Sequence, residues 1–131
     1  MLRDDLVFLN HIVDAARKAI FFTADRTRDE LDTNEMLALS LIRLLEVIGE
    51  AANQVSLDLK ERHPSIPWKK MVAIRNRLIH GYFDINLDIL WDTVSKDLPL
   101  LSNKFNRLSL TIRSALNVFC FQPVILIRNQ Q

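Results

Sequence analysis

Leu2, Leu6, Leu9, Val13, Ala16 and Ile20 recur at steps of three and four residues, with Arg3, Asp14, Arg17 and Lys18 between them. This is the spacing of an amphipathic helix that buries one stripe, and it predicts a helix over roughly residues 2–23. Ala24 to Asp32 is a charged, non-periodic connector. Asp32 followed by Glu35 reads as an N-cap with a capping box, so a second helix is expected to start there. Leu37, Leu41, Leu44, Leu45, Ile48, Ala52 and Val55 carry its apolar stripe, and Gly49, Ala51 and Ala52 leave room for a neighbouring helix to come close. It is the expected central helix.

Leu57 to His63 suits a short helical turn ended by Pro64, whose ring and missing N–H constrain the chain before it. Pro67 suits the first turn of a third helix, because the N–H it lacks would have no partner there. That helix is expected to run from Pro67 to about Ile79, with Met71, Ile74 and Leu78 facing the core and Gly81 ending it. Asp84 or Asn86 can cap a fourth helix, whose stripe is Leu87, Leu90, Trp91, Val94, Leu98 and Leu101. Pro99 should kink or end it unless local geometry absorbs the lost hydrogen bond. Further on, Leu108, Ile112, Leu116 and Phe119 are spaced for a fifth helix, whereas Phe119 to Ile127 is apolar, rich in β-branched residues and interrupted by Gln122 and Pro123. The expected architecture is all-α: an up-and-down four-helix bundle over residues 1–105, with a C-terminal extension over 106–131.

Composition agrees with this pattern. Glycine occurs only 2 times in 131 residues and proline 4 times, against 49% hydrophobic residues; a turn-rich sandwich or a glycine-looped nucleotide fold is excluded on that ground. One cysteine, Cys120, allows no internal disulfide framework and no multi-cysteine metal site, and it suits a reducing compartment. Asp4 and Asp5 stand where a signal peptide would carry basic charge, and no apolar run is long enough to span a membrane, so a cytoplasmic protein without a membrane anchor is expected.

Net charge is +1, from 17 Lys and Arg against 16 Asp and Glu. Its distribution says more. Lys60, Arg62, Lys69, Lys70, Arg75 and Arg77, with His63 and His80, fall in one segment opposed by Glu61 alone, and no acidic residue follows Asp97.

The chemistry-bearing stretch is Arg75-Asn76-Arg77-Leu78-Ile79-His80-Gly81-Tyr82. On a continuous helix Asn76 and His80 share a face, and His80 falls where the C-terminal carbonyls favour an imidazolium. A histidine can move a proton near neutral pH, and a guanidinium can hold a phosphate through paired hydrogen bonds. These are the minimum parts for RNA cleavage without a metal. The same residues admit a structural reading, with Arg and Asn capping a helix and His and Tyr closing its end. His11 and His63 read as surface and turn residues, Glu46 and Glu50 as solvated or arginine-paired carboxylates, and Trp68 and Trp91 as packing anchors. Cys120, between Phe119 and Phe121, reads as buried. No residue set has metal-ligand spacing.

Arg75 to Tyr82 resembles the R-x-x-x-x-H-x-Y signature of the HepT-like family, a branch of the HEPN ribonucleases. Ile48-Gly49-Glu50-Ala51-Ala52, His63-Pro64, Pro67-Trp68, Tyr82-Phe83, Leu90-Trp91 and Asp97-Leu98-Pro99-Leu100 resemble it in the same order. The likeness covers about Leu2 to Leu101, and the chain beyond Phe105 departs from it. The resemblance implies a four-helix bundle that forms a homodimer, or a higher hetero-oligomer, with two motifs facing one cleft. It implies a toxin that cleaves tRNA or mRNA, with Arg75 and His80 catalytic and Asn76 supporting; Lys69, Lys70 and Arg77 of the basic segment are the expected RNA-binding residues. It also implies control by a minimal nucleotidyltransferase antitoxin of the MntA kind. That partner would use ATP and magnesium to transfer AMP onto Tyr82, while the chain itself needs no cofactor. The competing expectation is a non-catalytic subunit that binds nucleotide or presents substrate to such a nucleotidyltransferase.

Overall fold

The computed structural model describes residues 2–80 and 84–128, with side chains described over 4–74, 76–78 and 84–116. Gly81, expected to end the third helix, and Tyr82 lie outside the described residues. The elements in chain order are α1 (Leu2–Thr23), α2 (Glu30–Thr33), α3 (Glu35–Gln54), α4 (Leu57–Arg62), α5 (Trp68–Val72) and α6 (Ile74–Leu78). A two-residue hairpin follows, β1 (Ile79–His80) with β2 (Asp84–Ile85), and then α7 (Leu87–Asp92), a π turn (Thr93–Asp97) and α8 (Leu98–Arg128). The fold is an all-α bundle with four antiparallel arms: α1, α3, α5 with α6, and the long run from α7 through α8.

The predicted stripes meet in one core. Leu9, Ile12, Leu41, Leu45, Ile48, Leu78, Leu90, Val94, Leu98 and Phe105 are almost wholly removed from solvent, and each such side chain contributes about 1.5–3 kcal/mol of transfer free energy. Two polar rungs set the antiparallel register of α1 and α8. Arg17 donates to Asn106 Oδ1 at 2.9 Å, and Arg113 donates to Asn10 Oδ1 at 2.9 Å. At the other side of α1, buried Asp5 accepts from the Ser56 amide at 2.8 Å and from its hydroxyl at 2.6 Å. Ser56 in turn caps α4 by accepting from the Leu59 amide.

Two local expectations are corrected and two that were left open are settled. The connector after α1 contains its own helical turn, and the N-cap of α3 is Asn34, which accepts from the Leu37 amide at 3.1 Å; Asp32 lies inside α2. Of the two candidate caps for α7, Asn86 takes the role by accepting from the Ile89 amide, while Asp84 pairs in β2. The third helix is broken at Ala73, whose ψ of −2° ends α5 before α6 begins, and the chain turns extended at Ile79. Finally, Pro99 does not end its helix, because local geometry absorbs the lost hydrogen bond. The Leu98 amide donates to the Thr93 carbonyl, five residues back, and this wider turn accommodates the proline ring where an α-helical turn would clash with the carbonyl four residues earlier. The helix therefore continues without a break through residues 105 and 106.

Candidate active site

Gly49 brings the motif into place. A Cβ built on it would lie 2.9 Å from the Met71 carbonyl oxygen and 3.3 Å from Ile74 Cγ2, so α3 meets α5 and α6 at a distance only glycine permits. Trp68, at the start of α5, is buried edge-on against Phe105, with ring centroids 5.5 Å apart, and its indole N–H donates to the His63 carbonyl at 3.0 Å. Met71, Ile74 and Leu78 then hold the inner face of α5 and α6 in the core. These packing roles leave Lys69, Lys70, Asn76 and Arg77, with Val72, on the outer face of the same short arm.

Arg75, Asn76 and Arg77 share the five-residue helix α6, where Asn76 and Arg77 are exposed. His80 is on β1, with its backbone opposite Asp84, and Ile79 stands opposite Ile85. The Asn86 amide closes this hairpin onto the Leu78 carbonyl at 2.9 Å. The extended backbone at His80 overturns the expectation that helical spacing puts Asn76 and His80 on one face, because α6 stops at Leu78. The motif is instead split between a helix and the strand that follows it. Tyr82 falls in the segment outside the described residues.

Lys69 and Lys70 are exposed on α5. Lys70 and Arg77 line one cleft of about 420 Å³ between α5–α6 and the π turn with α8, and Lys104 and Asp97 line it from the opposite side. Lys69 is outside it. Sequence reasoning missed Lys104 and Asp97 as neighbours of the motif; the run of basic residues after Asp97 was the available signal. Among the remaining candidates, Glu46 lies 3.5 Å from Arg43 Nη1, Glu50 and His11 are exposed, and His63 ends α4. Cys120 is outside the described side chains. Among the described residues no group of three His, Cys, Asp or Glu is placed to hold a metal ion, and no helix is long and apolar enough to cross a membrane.

One ion-pair cluster ties the connector after α1 to α2 and α7. Arg28 Nε donates to Asp88 Oδ1 at 2.7 Å, and its Nη1 lies 3.1 Å from Asp32. The hydrogen bonds it donates to Asp88, then to Asp32, raise the guanidinium above the ordinary arginine value. On the arginine side the tie is therefore present at all lower pH and lost only as pH rises through that value.

An all-α bundle with Arg75 and Asn76 on α6, His80 on β1, and a cleft lined by Lys70, Arg77 and Lys104 defines the class: a helical domain with a basic cleft. The sequence profile of the ribonuclease HepT-like family matches residues 12–108, and the chain belongs to that family; its enzyme class is ribonuclease. A Methanocaldococcus jannaschii protein named "Putative RNase MJ1380" is 41% identical over 102 residues, which span 78% of this chain and 94% of that protein. A Thermococcus cleftensis protein named "Probable ribonuclease HepT" is 36% identical over 108 residues, spanning 82% of this chain and 98% of that one. No solved structure gives a significant match.

Proposed function

We propose that this chain is the toxin of a type VII toxin–antitoxin module: a cytoplasmic, metal-independent endoribonuclease acting on tRNA or mRNA. The observation that carries the reading is the placement of Arg75 on α6 and His80 on the adjoining β1, next to a cleft lined by Lys70 and Arg77. In the reaction His80 accepts the 2′-hydroxyl proton as O2′ bonds to phosphorus, and the P–O5′ bond breaks as a proton reaches O5′. A second copy's motif supplies the acid, which is the reason for a homodimer. Arg75 stabilises the charge on the phosphorane, Asn76 supports it, and Lys69, Lys70 and Arg77 hold the strand. Cleavage leaves a 2′,3′-cyclic phosphate and survives EDTA. Products ending only in a 3′-hydroxyl, or activity lost to EDTA and restored by magnesium, overturn this chemistry.

Control rests on Tyr82. An AMP adduct there brings a phosphate charge two residues from His80, where it competes with the substrate phosphate. Incubation with a minimal nucleotidyltransferase of the MntA kind, ATP and magnesium should add at least one AMP mass to the peptide containing Tyr82 and suppress cleavage. Tyr82→Phe should stay active on RNA and escape neutralisation. An adduct on a different residue refutes the role.

A further inference from the structure

The cleft beside α6 carries more than a strand-binding charge. Three cations reach it from three separate elements: Lys70 from α5, Arg77 from α6 and Lys104 from α8. Among the described residues neither Lys70 nor Arg77 has an ion-pair partner, and Lys104 makes only a long 3.3 Å contact to the Ser65 carbonyl. Cations gathered from distant parts of the chain repel one another, and they hold this arrangement favourably when an anion lies between them. Apolar surface belongs to the same cleft, from buried Met71 and Ile74 to Leu100, which is 68% exposed.

Asp97 is the discordant member. It is exposed in the cleft, and among the described residues it pairs with none of the three cations. A carboxylate repels a phosphodiester, so its place in an anion-binding cleft points to a part of the ligand that donates hydrogen bonds. The edge of an unpaired nucleobase does this, and single-stranded RNA is read on such edges. Guanine offers two adjacent N–H donors, N1–H and the N2 amino group, which match the two oxygens of a carboxylate.

Resting on the ribonuclease reading above, we propose that this cleft is a nucleotide subsite flanking the scissile phosphate, in which Lys70, Arg77 and Lys104 hold the phosphodiester and Asp97 selects guanine. Leu100 supplies the apolar surface against which the base lies. Lys104 thereby becomes an RNA-binding residue and Asp97 a specificity residue, both outside the signature motif.

The full chain carrying His80→Ala, which separates binding from cleavage, serves for fluorescence anisotropy with single-stranded oligouridylate containing one guanosine or one adenosine. The guanosine strand should bind about tenfold more tightly, and a further Asp97→Ala change should bring the two strands to within about twofold. Adding Lys104→Ala instead should weaken both strands equally and lower the slope of log affinity against log salt by about 0.7. Lys18→Ala on α1, outside the cleft, should leave the slope unchanged. Circular dichroism checks that each exposed-site variant keeps its helices. Equal affinity for the two strands, a preference that survives Asp97→Ala, or an unchanged slope with Lys104→Ala overturns the proposal. So does a Lys104→Ala variant that changes only the oligomeric state, which would make the cleft an interface between copies. Cleavage by the native chain that His80→Ala abolishes but whose base preference Asp97→Ala leaves unchanged discards the subsite alone; absence of cleavage discards the ribonuclease chemistry itself.

Discussion

Asp5 is a buried carboxylate held by both donors of one serine, the amide and hydroxyl of Ser56. Removing it strands two donors, so Asp5→Ala should lower stability by about 2–3 kcal/mol in urea melts, and Asp5→Asn should recover part of the loss. A melt unchanged by Asp5→Ala would mean the donors find water instead. No sequence pattern pairs residue 5 with residue 56, and this tie became visible only with the chain folded. The motif residues behave differently. Arg75→Ala and His80→Ala should each cut the cleavage rate by at least about a hundredfold in a gel assay while leaving the melting temperature near that of the native chain. The R-x-x-x-x-H-x-Y spacing is what marks them as candidates in the sequence. The backbone that carries His80 was not, because the pattern Ile74, Leu78 continues helical periodicity up to the residue where the hairpin takes over.

Among the elements, the α3–α5–α6 junction governs the position of the motif. Gly49→Ala should force α5 away from α3, at a cost of about 1–3 kcal/mol, and should lower the cleavage rate more than a destabilised but undisplaced variant such as Ile112→Ala, a buried position on α8. Equal activity per folded molecule would show that α6 tolerates the shift. The close approach at Gly49 was legible in the sequence, as were the stripes of α1, α3 and α7 and the capping role of Asn86. The break at Ala73 was not, since it follows from how α5 and α6 each fit the surface of α3. The exchange of Asp32 for Asn34 as cap has a simple cause. Asp32 is taken up in the turn Glu30–Thr33, so the first free side chain before α3 does the capping.

For the molecule as a whole, the single copies of Arg75 and His80 in each chain predict a composite site. Mixing Arg75→Ala chains with His80→Ala chains should recover a part of the native cleavage rate, because a mixed pair retains one intact Arg75 and one intact His80. Two independent sites would recover none. The recovered activity should fall on dilution as pairs dissociate, and sedimentation of the mixture gives the matching stoichiometry. Arg28 bears on the same scale: by tying the α1–α2 connector to Asp88 on α7, it joins opposite arms of the bundle next to the hairpin. Arg28→Ala should therefore speed amide hydrogen exchange at Asn86 and Ile89 without altering exchange along the α1–α3 face.

The five-residue turn at Thr93–Asp97 also sets an angle. One residue more or fewer in a helix rotates everything beyond it by about 100°, so this single extra residue works as a phase adjustment between the two halves of the long helix. With it, Leu98 and Phe105 point inward, Asn106 and Arg113 meet Arg17 and Asn10, and Lys104 faces the cleft. Deleting Ser95 would turn all five off their marks at once. Ser95→Ala, which keeps the count and removes only the hydroxyl that bonds the Trp91 carbonyl, should fold like the native chain, and the contrast between the two variants measures what the added residue contributes.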